Sequence, residues 1–547
     1  MTASGEGSGD PTRDYVEKAA RSITELQPNV NNLADARVFL EVLGYDDAQA
    51  MKAGFEGLQG FAGEVFERVD FYEEGVPHQG EGSSYHRVKL PSARKRLVES
   101  LSLAAPWVGA LALLYVFGVS LWLALGLGLG PETALMVGVF MGLLVSEGPM
   151  QAFTRVFMFY HSQGNVSECA RALRRSYAAV ALLLSCSVAV IFASAFALRI
   201  PWEMVALAAV GAVTIAVHRI GYLPIYALKK TSQVVASYGI ALPLLVGVYV
   251  LTPVIVPDVV VRYLLSLGAA LAVLSVFAWY NTKKSLVIDA EGLVGKDAPA
   301  FYRPTFVNVH TINSKFEVQF WETLPTYLSG TFFFILVFGD RILSWFGNPV
   351  KVVGGVTLPL VFNVAYHSGA DFALAILFPV AIVQYVMLSS VHEELHNRSL
   401  DLPVTKTAEV DRFIRMKHAK ATAATLASAA VAAALLFVFA PPLVYRLGAG
   451  ELSVHILYVA ALGDLLLAVF VANSSFMSLL NGANGQAAIT AAGAAAVVGL
   501  GALVLPMGFQ YLVYAYLAAC ALVATLSTAY LASLMKSPSD HFYARFI

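Results

Sequence analysis

Charged residues and cysteines are both scarce in this chain of 547 residues. Lys, Arg, Asp and Glu together make up 13% of it, whereas soluble domains carry about 25%. Cys169, Cys186 and Cys520 are too few and too scattered for a disulfide framework or a cysteine metal site. The formal net charge is −1 and no basic block of the nucleic-acid-binding type is present, so the sequence predicts no nucleic-acid partner.

Several catalytic signatures are missing as well. The chain contains no GxxxxGK[ST] phosphate loop, which excludes ATP hydrolysis of the P-loop kind. It contains no Asp-x-Asp pair for a metal-bound sugar nucleotide, and no short apolar run near Met1 that would form a cleavable signal. We therefore expect neither an enzyme nor a resident cofactor.

Long apolar stretches are abundant instead. A helix needs about 20 apolar residues to cross roughly 30 Å of hydrocarbon, and on that rule the sequence predicts twelve crossings. A polar stretch, Asn281–Lys315, separates them into two sets of six. The first set covers approximately 103–128, 133–160, 173–198, 202–224, 232–254 and 258–281. The second set covers approximately 319–345, 370–393, 416–440, 453–478, 486–505 and 509–535. The sequence thus predicts an all-α, polytopic membrane protein.

The distribution of Lys and Arg predicts the orientation, because short loops rich in them stay in the cytoplasm. One side of the predicted spans carries most of the basic residues between Arg87 and Arg545. The opposite loops hold Arg199, Arg262, Lys351 and Arg446. Both termini are therefore predicted to be cytoplasmic.

The two sets of six resemble each other in layout. In each set a basic amphipathic connector follows the second span, Asn165–Ser176 in the first and Asn397–Lys420 in the second. Each set begins on the same side, which indicates a parallel repeat about an axis along the membrane normal. We expect two pseudo-symmetric six-helix bundles that rock against each other around a central cavity.

A polar segment precedes the first span. Apolar residues at helical spacing predict helices at 14–26, 33–43 and 47–72, with Asn32 and Asp46 as N-caps. Its simplest role is a solvated cap or a docking domain for a partner. The complete predicted division is a cytoplasmic helical domain with a linker (1–98), the first bundle (99–282), a cytoplasmic linker (283–318) and the second bundle (319–547).

Three stretches resemble a known family. SEGPMQAFTRVFMFYHSQGNVSECARALRRS (146–176), FWETLPTYLSGTFFFILVFGDRILSW (320–345) and AYHSGADFALAILFPVAIVQYVML (365–388) are similar to the exporters of the Pel exopolysaccharide. Those exporters belong to the MOP flippase superfamily of multidrug, oligosaccharidyl-lipid and polysaccharide carriers. The resemblance covers residues from about 100 to 535, while residues 1–98 lie outside it.

The resemblance implies a MATE-like, MOP-type carrier in the bacterial inner membrane. Such a carrier would export a polysaccharide or its precursor by alternating access, with coupling to an ion gradient. It also implies partners in addition to membrane lipid, namely a cytoplasmic glycosyltransferase and accessory membrane subunits. A small-solute or multidrug exporter of the same fold is the alternative within this class.

Ionisable residues inside spans are candidates for the transport pathway, because a charge at the bilayer centre costs at least about 2.5–3.5 kcal/mol. Glu147, Gln151 and Arg155 recur every four residues and so share one face of the second span. We expect Glu147 and Gln151 at the central cavity and Arg155 at the cytoplasmic entrance. Arg219 near the inner end of the fourth span and Gln384 in the eighth are further candidates.

Two other positions carry charge within spans. Asp464 lies in the middle of the tenth span, where a low dielectric disfavours the charged form, so it is a candidate protonatable coupling site. The alternative is an acid that hydrogen-bonds a neighbouring helix. Asp340 and Arg341 lie about 18 residues after Glu322, and at roughly 1.5 Å per residue this predicts an interfacial ion pair or an exit lining at the outer end.

One motif predicts a different function. HEELH at His392–His396 fits HExxH, in which two imidazoles one helical turn apart bind zinc and the intervening Glu393 polarises a water molecule. An integral-membrane zinc metalloprotease would take its third ligand from Glu409, Asp411, His418 or Asp464. The motif also fits the charged cytoplasmic end of the eighth span, which is the simpler interpretation.

Overall fold

The computed structural model describes residues 11–26, 33–75, 92–124, 126–162, 166–228, 230–293, 316–349, 352–353, 356–401, 407–446 and 450–543. The described residues up to Gly75 form one compact unit and those from Ser92 onward form another. The predicted domain boundaries at 98, 282 and 318 stay predictions.

The described residues of the first unit form four helices: α1 (Pro11–Leu26), α2 (Leu33–Val42), α3 (Asp47–Lys52) and α4 (Leu58–Gly75). Phe61 is fully buried at its centre, with the rings of Tyr15, Tyr45 and Phe55 packed around it at 5.0 to 5.4 Å between centroids. These contacts give the unit a hydrophobic core of its own.

The predicted helix 47–72 is wrong as a single element. Gly54 and Gly57 adopt φ of +93° and +123°, values that favour glycine, and the chain turns there. Asp46 caps α3 as predicted, accepting a hydrogen bond of 2.7 Å from the Gln49 N–H. The predicted cap Asn32 lies outside the described residues.

Among the described residues of the second unit, twelve spans are long and apolar enough to cross a membrane, which confirms the predicted number. The first six are α5 (Ala93–Phe117), α6 (Leu129–Ser162), α7 (Val166–Leu198), α8 (Trp202–Ala227), α9 (Thr231–Leu251) and α10 (Val259–Leu293). The last six are α11 (Phe316–Phe346), α12 (Val364–Ala373) continued by α13 (Leu377–Asp401), α14 (Thr407–Arg446), α15 (Glu451–Leu479), α16 (Ala483–Val504) and α17 (Leu512–Leu534).

Short elements join or follow these spans. One 3₁₀ turn, Leu374–Ile376, separates α12 from α13 within the eighth span. Between α11 and α12, the antiparallel pair β1 (Val352–Val353) and β2 (Val356–Thr357) forms a small hairpin. A short helix, α18 (Pro538–Tyr543), follows the last span.

The predicted position of the first span, 103–128, is wrong by about ten residues at each end. The span begins at Ala93 and α5 ends at Phe117, where Gly118 adopts the left-handed conformation and caps the helix. The apolar residues LWLALGLGLG (121–130) were predicted to be helical from their hydropathy. Gly126 and Gly128 in this stretch have φ of +85°, which a helix does not allow. Hydropathy alone did not distinguish this apolar loop from a membrane helix.

The two sets of six helices have the same neighbours, which confirms two pseudo-symmetric bundles. In the first bundle α6 packs on α7 and α8, α5 packs on α9, and α9 packs on α10. The second bundle repeats these pairings: α13 packs on α14, α12 packs on α15, α11 packs on α16, and α16 packs on α17. The bundles meet through α6 with α11 and through α5 with α13, two contacts that the pseudo-twofold axis would exchange.

Basic side chains gather at one end of the spans. Arg94 lies at the start of α5, Lys230 precedes α9, Lys283 lies in the last part of α10 and Arg415 in the first part of α14. We call this the basic end. By the distribution of Lys and Arg it is the end predicted to face the cytoplasm.

Cysteine labelling tests this orientation. In a variant whose three native cysteines are replaced by Ser, Val254→Cys places a thiol in a 94% exposed loop position opposite the basic end. We expect a membrane-impermeant maleimide to label Val254→Cys in intact cells, and to label Lys536→Cys at the basic end only after permeabilisation. The reverse pattern would contradict the predicted orientation.

Candidate functional site

Glu147 and Arg219 form an ion pair between α6 and α8. Their side chains are 13% and 14% exposed, so the pair is largely shielded from solvent. Gln151 Nε2 donates to Glu147 Oε1 at 2.9 Å, and Arg219 also lies 3.4 Å from Ser146 Oγ. Glu147 and Gln151 were predicted to share one face of this span, and the structure brings Arg219 of α8 to them.

The seam between α6 and α11 places this cluster at the boundary of the two bundles. Gly148 and Gly330 allow the close approach: a Cβ at Gly148 would lie 2.6 Å from Thr331 Oγ1, and one at Gly330 would lie 2.6 Å from Gln151 Cγ. The α6–α11 seam is therefore built from glycine on both helices at the level of Glu147.

From Glu147 towards the basic end the seam is polar. Arg155 is exposed and its Nη1 donates to Thr326 Oγ1 at 3.2 Å. Gln319 Nε2 donates to the Tyr160 hydroxyl at 2.7 Å. Arg175 of α7 donates to Gln319 as well. Side chains able to donate and accept hydrogen bonds thus line this half of the boundary.

The other half of the seam is aromatic. Phe140 of α6 contacts Phe334, Phe338 and Trp345 of α11, with ring centroids 5.2 to 6.2 Å apart. Close by, the Phe362 N–H donates to Thr133 Oγ1 at 3.0 Å, which joins the loop before α12 to α6. Apolar packing closes the boundary between the bundles at this end.

Arg341 is the centre of a charged network within the second bundle. Its side chain and that of Asp340 are fully buried, at 0% exposure, and Nη1 donates to Asp340 Oδ1 at 3.0 Å. Nε donates to Asp371 Oδ1 at 2.8 Å, and the carbonyls of Val337 and Ala370 accept the remaining bonds at 2.7 and 2.6 Å. The predicted ion pair is present, and the guanidinium turns inward to reach Asp371. Its predicted place at the outer end of the span stays a prediction.

Asp371 connects this network to an accessible surface. Its side chain is 44% exposed, and its second oxygen contacts His367 Nδ1 at 2.8 Å. His367 and Asp371 lie one turn apart on the same face of α12. Since the His367 ring packs against Phe140 of the first bundle, that face turns towards the boundary between the bundles.

Three further side chains donate hydrogen bonds within or beside the network. The Tyr366 hydroxyl donates to Asp340 Oδ2 at 2.6 Å, and the Trp345 indole donates to His367 Nε2 at 2.8 Å. The Tyr516 hydroxyl donates to Asp464 Oδ1 at 2.5 Å. Asp464 is fully buried, and its Oδ2 has no hydrogen-bond partner among the described residues.

Asp371, His367, Tyr366 and Tyr516 were not among the site residues predicted from the sequence. A signal for the first two was present, because an acid and an imidazole one helical turn apart are unusual at the start of an apolar span. The two tyrosines gave no such signal, because a buried tyrosine in a span is usual. Gln384, a predicted candidate, is buried within the second bundle and donates to Thr425 Oγ1 at 2.5 Å.

The described residues hold no group of three or more His, Cys, Asp and Glu that could bind a metal ion. The side chains of His392, Glu393 and His396 lie outside the described part, although α13 contains all three positions. Three of the four possible third ligands have other partners: Asp411 accepts from the Ser539 N–H, His418 contacts Thr422, and Asp464 accepts from Tyr516. This arrangement does not favour a zinc metalloprotease.

Known structures share this fold. A MOP superfamily transporter from Pyrococcus furiosus aligns with a TM-score of 0.58 at 13% identity, covering 84% of this chain and 99% of that one. A MATE transporter in the straight conformation aligns with a TM-score of 0.55 at 14% identity, covering 84% and 99%. An inward-facing multidrug resistance MATE transporter aligns with a TM-score of 0.52 at 12% identity, covering 82% and 99%.

No family model matches the sequence, and no curated protein is significantly similar to it. The similarity to the solved structures therefore establishes the fold. This chain has the twelve-helix, two-bundle fold of the MOP superfamily transporters, of which MATE transporters are members.

The close approach of α6 and α11 at Gly148 can be tested by adding a Cβ atom. Gly148→Ala should force α6 and α11 apart, because the new Cβ would lie 2.6 Å from Thr331 Oγ1 and 2.7 Å from the Tyr327 ring. Overpacking of this kind costs about 1–3 kcal/mol, so the melting temperature of the purified protein should fall. Gly239→Ala is the control, since its Cβ would meet nothing within 4 Å. Equal melting temperatures for both variants would contradict the seam.

Removal of the Arg341 guanidinium is predicted to destabilise the protein. Arg341→Met leaves Asp340 buried without its cation, and breaking a buried pair in this way costs about 3–5 kcal/mol. We expect a much lower yield of monodisperse protein and a lower melting temperature. Arg155→Met, which removes an exposed arginine, should cost less than about 1 kcal/mol. An Arg341→Met protein as stable as the Arg155→Met protein would refute the network.

Proposed function

We propose that this chain is an alternating-access carrier that exports a polysaccharide or its precursor across the bacterial inner membrane. The observation that carries the proposal is the difference between the two halves of the α6–α11 seam. Aromatic side chains around Phe140 close one half, while Glu147, Gln151 and Arg155 line the other. A carrier in which two bundles rock about a central site needs a boundary closed at one end and polar at the other.

The chemistry of the seam favours a hydroxyl-rich substrate. Gln151, Gln319 and Thr326 offer neutral donors and acceptors, and sugars are recognised through hydrogen bonds of this type. The resemblance of residues 146–176, 320–345 and 365–388 to the Pel exporters points to the same substrate class. A multidrug carrier would be expected to present a more apolar path.

Coupling to an ion gradient is part of the proposal. Glu147 lies at the boundary of the bundles, and Asp464 has one carboxylate oxygen without a partner among the described residues. Either carboxylate could bind a proton or a small cation in one state and release it in the other. Arg155 and Arg219 would then serve the entrance at the basic end.

The helical unit α1–α4 is proposed as the docking site for a cytoplasmic partner. A glycosyltransferase that synthesises the polymer, together with accessory membrane subunits, would deliver the substrate to the basic end. This role agrees with the unit's own hydrophobic core around Phe61, which lets it fold as a separate module.

Charge removal tests the proposed mechanism. We expect Glu147→Gln and Asp464→Asn each to reduce export at least about tenfold, since each removes a proposed coupling charge. The measurement is the surface polysaccharide of a deletion strain that carries each variant, with membrane levels checked by immunoblotting. Glu203→Gln, at an exposed position in the first turn of α8, is the matched control and should export normally.

Two outcomes would refute parts of this proposal. Wild-type export by both Glu147→Gln and Asp464→Asn would remove these carboxylates from the mechanism. A deletion strain with unchanged surface polysaccharide but increased retention of a fluorescent cationic dye would identify the chain as a multidrug exporter instead.

A further inference from the structure

A groove on the side of the first bundle lies outside the proposed transport path. It is formed by α7, α8 and α10 and has a volume of about 440 Å³. Its walls are mostly apolar and include Leu173, Ile220, Leu271 and Leu274. Val217 and Trp279 at its edge are 44% and 68% exposed, so the groove opens where the spans meet lipid.

The length of the groove matches one leaflet. Along α10 it runs from Leu271 to Lys283, which at 1.5 Å per residue is roughly 18 Å. Half of the hydrocarbon core is roughly 15 Å thick. The groove therefore extends from about the middle of the membrane to the basic end, and it accommodates a single extended acyl chain.

Basic and aromatic side chains mark the headgroup end of the groove. The Nζ atoms of Lys283 and Lys284 lie 5.7 and 5.9 Å from the ring centres of Trp279 and Tyr280. Aromatic residues with this exposure favour the headgroup level of a membrane. Arg174 lies on α7, one turn before the groove residue Tyr177. These cations complement a phosphate group.

One buried hydroxyl group in the groove has no partner among the residues that the structure describes. Thr282 lines the groove and is 8% exposed, and its Oγ1 makes no hydrogen bond with any described residue. A buried hydroxyl in that state destabilises the protein unless a bound group satisfies it. Thr282 and Lys283 both line the groove, so an oxygen of a lipid headgroup or ester held by Lys283 would satisfy the Thr282 hydroxyl.

We propose that this groove binds one anionic phospholipid of the leaflet at the basic end. One acyl chain fills the groove beside Leu271 and Leu274, and the phosphate contacts Lys283. The Thr282 hydroxyl donates to an oxygen near the headgroup. This site is independent of the substrate that the carrier transports, because it lies on the lateral face of the first bundle and not on the α6–α11 seam.

Native mass spectrometry of the full chain tests the proposal. Protein purified in detergent is mixed with phosphatidylglycerol or phosphatidylcholine, and the lipid retained per chain is measured. We expect wild-type protein to retain phosphatidylglycerol preferentially, and Lys283→Gln to weaken that retention about fivefold, which corresponds to about 1 kcal/mol for one lysine at an anionic surface. Lys420→Gln, an exposed lysine of α14, is the control for charge alone.

A second pair of variants tests the groove itself. Ser275→Trp fills the groove from α10, whereas Ala434→Trp adds the same ring at an exposed position of α14. We expect only Ser275→Trp to lose phosphatidylglycerol, with both proteins monodisperse on gel filtration. The proposal is overturned if Lys283→Gln retains as much phosphatidylglycerol as Lys420→Gln. Equal retention of phosphatidylglycerol and phosphatidylcholine by wild-type protein would also overturn it. So would equal retention of phosphatidylglycerol by Ser275→Trp and Ala434→Trp.

Discussion

The second bundle depends on the neutralisation of one guanidinium group inside the membrane. Arg341 is fully buried, and a charge placed in hydrocarbon costs at least about 2.5–3.5 kcal/mol if it has no partners. Asp340 and Asp371 supply opposite charges, and the carbonyl of Ala370 accepts a further bond. In a continuous helix that carbonyl would accept from the Leu374 N–H. Arg341 takes this place, and α12 ends at Ala373 with a 3₁₀ turn before α13.

The same interaction links the interior of the second bundle to the boundary with the first. Asp371 contacts the buried Arg341 with one oxygen and His367 with the other, and the His367 ring packs against Phe140. A change in charge at Asp371 would therefore act on both its bundle and its neighbour. The aromatic half of the seam and the charged network form one continuous set of contacts, which makes the state of the boundary sensitive to the charges behind it.

The sequence predicted the parts of this molecule that depend on local pattern. Twelve spans, their division into two bundles and the cap at Asp46 follow from hydropathy, repetition and capping chemistry. The apolar loop after Gly118 was mistaken for helix because hydropathy does not report backbone conformation. The pairing of Glu147 with Arg219 joins positions 72 residues apart, and the inward turn of Arg341 requires Asp371 of another helix. Such contacts depend on tertiary packing, and no spacing rule within one span predicts them.

The charges of the two bundles lie on helices that the pseudo-symmetry makes equivalent. Glu147 and Arg219 lie on α6 and α8, the second and fourth spans of the first bundle, while Asp371 and Asp464 lie on α12 and α15, the second and fourth spans of the other. Glu147 is beyond the midpoint of its span towards the basic end, whereas Asp371 is in the opposite half of its own. Equivalent helix pairs therefore carry charge at different depths. In a carrier whose bundles rock against each other, that offset provides successive polar positions along the membrane normal, which a symmetric placement at one depth would not provide.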